Sequence, residues 1–221
     1  LSLCTDPIRT AHAVQTLRPA VLVGFPVQVL ALARMAVHLG IELSSVRSVL
    51  LCSDYIPKSL VRQVRELLGA GVFNHYGTVE TGLGGAVDCA AHEGCHLREG
   101  DLLVEIIDPR TTLPVMDGSW GEIVCTTLTR TGMPLIRYRT GDRGRLLPGV
   151  CGCGSAIRRL DRVQGRIDQV RTLAHGGRLA LAELDELLFA LPGLLDCTAA
   201  LVTVNGRDGL HVRLITVPGQ A

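Results

Sequence analysis

Lysine is almost missing from this chain: Lys58 is the only one among 22 lysine and arginine residues. Enzymes that handle ATP commonly set a lysine ammonium on a phosphate, as a compact and mobile charge. Lys58 sits in Ile56-Pro57-Lys58-Ser59, which reads as the start of an exposed helix. A glycine-, serine- and threonine-rich loop ending in lysine is also missing, which excludes a phosphate loop within these residues. Aromatic residues are few, three Phe, three Tyr and one Trp, so an aromatic-lined pocket has little to draw on. No apolar run reaches the roughly 18 residues of a membrane span. The segment Pro19–Leu32 is broken by Gly24 and Pro26 and reads as a strand running into a helix. A net charge of +1 gives no general attraction to nucleic acid or membrane. No cationic, apolar leader is visible, so the eight cysteines read as reduced thiols rather than disulfides, and the location as cytoplasmic.

Hydrophobic residues make up 47% of the chain and charged residues 19%, enough for a substantial globular core. Residues 7–18 read as an amphipathic helix and Ala20–Gly24 as a buried strand of a parallel sheet. A helix over Val27–Leu39 ends at Gly40, a strand follows at Val46–Cys52, then a helix over Lys58–Leu68 closed by Gly69. Val72–Tyr76 is a third short strand. The alternation predicts a doubly wound α/β layer over residues 1–95. Strands at Leu102–Ile107, Gly121–Thr127 and Leu135–Tyr138 follow without helices, which predicts a small β-rich part over 96–164. Val163–Asp168 reads as a linker. Beyond it lie a strand, a Gly176-Gly177 turn, a helix over Leu181–Leu191, and strands at Cys197–Val204 and Leu210–Val217. That piece, 165–221, is expected to be a small, incomplete α+β lid, marginal on its own.

Chemistry concentrates in five segments. In Tyr76-Gly77-Thr78-Val79-Glu80 an aromatic ring can stack on a purine, a glycine admits close backbone approach, and a carboxylate can hold Mg²⁺ against phosphates. In Tyr138-Arg139-Thr140-Gly141-Asp142 an aspartate after a glycine turn suits the two hydroxyls of a ribose. Gly165-Arg166-Ile167-Asp168 falls at the proposed domain boundary. Gly82-Leu83-Gly84-Gly85-Ala86 would leave room for a substrate, with Gly82, Gly84 and Gly85 as a pocket floor. Finally, Cys151-Gly152-Cys153-Gly154 presents two thiolates from a tight knuckle, which a Cys/His pair from Cys89, His92, Cys95 and His96 can complete to a tetrahedron. Four protein ligands would leave no open position, making such a metal structural. Cys4, Cys52, Cys125 and Cys197 lie in apolar runs and read as core residues.

In this order the first three segments resemble the nucleotide-binding core of the adenylate-forming enzymes, and the cysteines narrow the likeness to the phenylacetate–coenzyme A ligase branch. The resemblance implies a ligase that joins a carboxylic acid to AMP from ATP and then passes the acyl group to coenzyme A. It places Tyr76, Gly77, Thr78, Glu80, Arg139, Asp142 and Arg166 at the nucleotide, Glu80 at a catalytic Mg²⁺, and Asp142 at the ribose. It makes Asp168 a hinge within 165–168 and gives structural Zn²⁺ the ligands Cys89, His96, Cys151 and Cys153. The partners are a small, arylacetate-like acid and coenzyme A, with no nucleic acid or membrane, and a homodimer is allowed. Two departures matter. The hydroxyl residue that the family places before the glutamate is Val79 here, with Thr78 one position early. The family's phosphate loop and C-terminal catalytic lysine have no counterpart, so the chain is expected to be the middle of a longer enzyme. Relatives resembling coenzyme F390 synthetases or acyl-protein synthetases offer another acceptor, and a nucleotide-binding or zinc-stabilised scaffold is the non-catalytic alternative.

Overall fold

A computed structural model describes residues 6–53, 55–82 and 84–219. Cys4 and Leu83, both named above, lie outside the described residues. The chain forms two units, Leu1–Val72 with Val170–Ala221, and Phe73–Gln169.

The first unit opens with α1 (Pro7–Leu17), whose N-cap Asp6 accepts from the Ile8 and Arg9 amides ahead of Pro7 at the favoured first position. Next come β1 (Val21–Gly24), α2 (Pro26–Leu39), β2 (Ser48–Leu51) and α3 (Lys58–Leu68). Gly40 and Gly69 end α2 and α3 in the left-handed conformation expected of them, at φ +66° and +60°. β1 and β2 pair in parallel from Val21↔Ser48 to Gly24↔Leu51. α2 packs against both α1 and α3, and Val29, Leu30, Val49, Leu51, Leu60 and Val64 are wholly buried among them. Burial on both faces of β1 is not what the structure shows. Leu22 and Gly24 point inward, whereas Val21 and Val23 are each 55% exposed, so within these residues the layer is covered on one side.

β3 (Gly71–Tyr76) starts in this unit and carries the chain into the second. There β4 (Ala86–Asp88) and β5 (Cys95–Leu97) extend it antiparallel. β6 (Leu102–Ile107), β7 (Gly121–Thr127) and β8 (Tyr138–Gly144) make a separate three-stranded sheet. β9 (Leu146–Leu147) and β10 (Arg159–Leu160) close the set, with β10 between β5 and β9. Leu97, Leu102, Ile123 and Leu160 lie in the shared core. The strand expected at Leu135–Tyr138 instead begins at Tyr138, and Thr140-Gly141-Asp142 lies inside it rather than in a turn beyond it. The reason is a register shift opposite Glu122–Val124, where Gly141 takes φ +76° and the Thr140 hydroxyl donates to the Ile123 carbonyl at 2.9 Å. β4, β5, β9 and β10 escaped the sequence reading because two or three residues carry no period to read.

At 169/170 the chain returns to the first unit. β11 (Val170–Thr172) and β12 (Arg178–Ala180) form a hairpin, followed by α4 (Leu181–Leu188) and the long hairpin β13 (Leu194–Val204) with β14 (Arg207–Thr216). Phe189 and Leu194 enter the core of the helical layer. Polar contacts fix the same junction: the Arg34 guanidinium donates to the Leu191 carbonyl at 2.9 Å, and the Gln63 amide to that of Phe189 at 2.6 Å. Glu186 accepts from the Tyr55 hydroxyl at 2.9 Å and from the Lys58 amide at 3.1 Å. It thereby caps α3, whose own N-cap residue, Pro57, has no side chain that could.

Candidate functional site

The second unit brings the two tyrosine motifs together as a pair of phenol–carboxylate bonds. Tyr76, at the end of β3, donates to Asp142 Oδ2 at 2.9 Å, and Tyr138, at the start of β8, donates to Glu80 Oε1 at 3.1 Å. Asp142 is nearly buried, and its amide is held by the Thr140 hydroxyl at 3.0 Å. Burial pushes its carboxyl above the ordinary range, against the pull of Tyr76 and Arg166. Burial likewise raises the Tyr76 phenol, with the Asp142 charge adding to it, so Tyr76 serves as a donor. Glu80 goes the other way: its own amide, then the Thr78 and Tyr138 hydroxyls and the Arg166 charge, hold it below the usual carboxylate range. Arg166 thus acts on both carboxylates, its backbone bridges Asp142, and its Nε lies 3.4 Å from Asp168.

Arg139 is placed elsewhere. It is paired with the buried Glu122 and donates to the Pro109 carbonyl at 3.2 Å, while Arg137 pairs with Glu105 at 3.2 Å. Thr78 is not extended. It forms a tight turn with Thr81, whose hydroxyl accepts from the Thr78 amide at 2.9 Å, and Val79 projects with 92% of its surface exposed. The glycine run packs against His75: a Cβ on Gly84 would stand 2.2 Å from His75 Nε2, and one on Gly77 would stand 3.0 Å from His75 Cε1. Room left by these glycines is therefore filled in part by the imidazole, whose Nδ1 is buried without a hydrogen-bond partner among the described residues. Gly85 lies against the Tyr76 ring, and Gly82 is exposed at φ +77°.

Cys89, His96, Cys151 and Cys153 converge, with one donor atom from each lying within 4.8 Å of the others. Cys89 and Cys151 sulfurs are 3.7 Å apart, and Cys153 Sγ is 3.4 Å from His96 Nε2. His96 Nδ1 lies 3.2 Å from the Ile157 carbonyl, an arrangement that leaves Nε2 free for a cation. The Cys153 amide draws the Cys151 thiol down to about 7, whereas burial raises that of Cys89. Both alternative ligands are engaged elsewhere. His92 pairs with Asp88 at 2.7 Å, and Cys95 is buried, 3.7 Å from the Asn74 carbonyl, with its thiol pushed up to about 12. Soft thiolates with one imidazole at this spacing fit Zn²⁺.

The family model for AMP-binding enzymes matches residues 2–129. The chain belongs to the AMP-binding enzyme family. A phenylacetate–coenzyme A ligase of Thermus thermophilus is 32% identical over 188 residues, 83% of this chain and 42% of that protein. Another, from Aromatoleum evansii, is 38% identical over 151 residues, 67% of this chain and 32% of that protein. The chain therefore spans less than half the length of these relatives. Among solved structures, a 2-hydroxyisobutyryl-CoA ligase in its postadenylation state superimposes with a TM-score of 0.83 at 22% identity, over 94% of this chain and 45% of that one. An anthranilate CoA ligase in complex with anthranoyl-AMP gives 0.72 at 16% identity, over 97% and 43%. These two share the fold of this AMP-binding chain.

Several residues of the site escaped the sequence reading. Tyr138 lay inside the quoted motif, but its bond to Glu80 depends on a contact 58 positions away. Glu93 accepts from the Gly152 amide at 2.9 Å, tying one half of the Cys/His cluster to the other. Arg98 and Arg130 donate to the carbonyls of Thr81 and Glu80, and only folding could reveal those contacts.

Proposed function

We propose that this chain supplies the nucleotide-holding part of an AMP-forming acid–coenzyme A ligase. A carboxylate oxygen attacks the α-phosphorus of ATP, the α–β phosphoanhydride bond breaks, and pyrophosphate leaves. The thiolate of coenzyme A then attacks the acyl carbonyl, the carbon–oxygen bond to AMP breaks, and thioester and AMP are released. The observation that carries the reading is the paired arrangement of Tyr76 on Asp142 and Tyr138 on Glu80.

Asp142, already an acceptor for one hydroxyl, would take the two ribose hydroxyls, beside Tyr76 at the base. Glu80, held ionised, would support Mg²⁺ on the phosphates, with Gly77 and Thr78 beside it and Arg166 giving positive charge. The names of the relatives favour a small arylacetate-like acid. Asp168 would act in a hinge near the point where the chain passes from one unit to the other. Cys89, His96, Cys151 and Cys153 would hold a structural zinc that pins the loops bearing them. Reduced thiols of this kind suit the cytoplasm.

The test is carboxylate-dependent ATP–pyrophosphate exchange by the protein expressed from its complete reading frame, offered arylacetic, benzoic and fatty acids. Exchange with an acid, followed by thioester formation on adding coenzyme A, is the expected result. Exchange without thioester would move the acceptor to a deazaflavin or a protein. Absence of exchange in folded, zinc-loaded protein would leave a scaffold and overturn the ligase.

A further inference from the structure

We propose that Arg130, braced by Arg98, is a positioning residue for Glu80, a role that rests on the ligase reading of that carboxylate. Arg130 Nη1 donates to the main-chain carbonyl of Glu80 at 2.7 Å, and Arg98 Nη2 donates to that of Thr81, the next residue, at 3.0 Å. Two consecutive peptide units of the loop are thus gripped by two guanidiniums. Among the described residues Arg130 has no ion-pair partner, so its charge is spent on the peptide carbonyl.

The loop is shaped to accept this grip. Gly82 holds φ +77°, and a Cβ there would stand 2.7 Å from Arg130 Nη2 and 3.8 Å from Arg98 Nη2. A side chain there would crowd Arg130, whereas the contact with Arg98 would be an ordinary one, and the positive φ itself favours glycine. Asp101 ties the two arginine-bearing segments together. Its Oδ2 lies 2.9 Å from Arg98 Nε, its Oδ1 accepts from the Thr129 hydroxyl at 3.0 Å, and its carbonyl accepts from the Leu128 amide at 2.8 Å.

The functional consequence follows from which atoms are held. A main-chain grip sets the direction of the Glu80 side chain without occupying either carboxylate oxygen. Thr78 and Thr81 close the turn from within. The carboxylate is then held by the hydroxyls of Tyr138 and Thr78, and it is aimed in advance by neutral groups that leave its charge available to a cation. Lysine at 130 could reach the carbonyl as a point charge but would lack the planar guanidinium that fixes the direction of the bond.

The test compares wild type, Arg130→Ala and Arg130→Lys in the protein from the complete reading frame. Amide hydrogen exchange across 77–85 is expected to quicken about tenfold in Arg130→Ala and less in Arg130→Lys, with the peptides around Cys89–His96 and Cys151–Cys153 unchanged. In pyrophosphate exchange, Arg130→Ala should raise the half-saturating Mg²⁺ about tenfold and leave the KM for the acid unaltered, with partial rescue by lysine. Unchanged protection of 77–85 in Arg130→Ala would overturn the grip. A loosened loop with unchanged Mg²⁺ dependence would overturn the positioning of Glu80. Should alanine loosen the whole unit, Arg130→Lys decides, since its effect must then be confined to 77–85. A wild-type protein without pyrophosphate exchange removes the ligase reading instead, and hydrogen exchange decides the grip by itself.

Discussion

The two polar clusters of the second unit are both assembled from distant segments, yet they are held in opposite ways. At the tyrosine–carboxylate cluster both carboxylates already have a hydroxyl partner: Tyr76 bonds Asp142 and Tyr138 bonds Glu80. At the Cys/His cluster four donors face one another, with the Cys89 and Cys151 sulfurs 3.7 Å apart. A self-satisfied cluster stands without its ligand and exchanges bonds when the ligand arrives. A cluster of converging donors gains its stability from the cation it binds.

Removing one thiol tests that contrast most severely. Cys151→Ser is expected to lose zinc altogether, and structural zinc is worth about 10–16 kcal/mol in small domains. Elemental analysis should show no bound zinc, and protease should cut near residues 89–96 and 151–153. A variant retaining one zinc per chain would show that His92 or Cys95 serves after all.

Glu80→Gln comes next. It should lower pyrophosphate exchange about 10²–10³-fold, the size seen when one preorganised electrostatic group is lost. The melting transition should stay within about 0.5 kcal/mol of wild type, since the carboxylate is not a core group. A large drop in stability would mean that Glu80 serves the fold instead.

Asp142→Ala should weaken AMP binding about ten- to hundredfold and cost about 1–3 kcal/mol of stability, because the Tyr76 hydroxyl loses its buried acceptor. The two carboxylates are shifted in opposite directions, Asp142 above the ordinary aspartate value of about 3.9 and Glu80 below the ordinary glutamate value of about 4.3. AMP affinity should therefore fall as pH drops through the raised Asp142 range. Asp142→Asn, measured by calorimetry across the same pH range, should lack that limb. An identical acid limb in the variant would assign it to another group.

Val79→Ser should have the smallest effect. The side chain is 92% exposed, so stability should move by no more than about 0.5 kcal/mol. Gain of ATP affinity without gain of AMP affinity would show that the hydroxyl reaches the phosphates beyond the first. No change would mean that Thr78 and Thr81 have taken over the turn.

The helices were legible because their punctuation is local. Asp6-Pro7 starts α1, Gly40 ends α2, and Gly69 ends α3, and each signal acts within one turn of chain. β6 and β7 were legible through apolar runs bounded by turns, and the convergence of Cys89, His96, Cys151 and Cys153 through resemblance. The start of β8 was not, because its register depends on the Thr140 contact with Ile123 across the sheet. Nor was the ion pair of Arg139, which the resemblance set at the nucleotide, with Glu122 on the neighbouring strand.

Sequence by itself determined the limits of α1, α2 and α3 to within a residue, the order of the motifs and the chemical types assembled at each cluster, since these depend on neighbours along the chain; α4 stops at Leu188, short of the Leu191 its pattern suggested. Tertiary structure alone decided the pairings: Tyr76 with Asp142, Tyr138 with Glu80, Arg130 with the Glu80 carbonyl, and Glu186 with the bare end of α3. Hydrogen bonds of that kind depend on distance and direction in space, and spacing along the chain encodes neither.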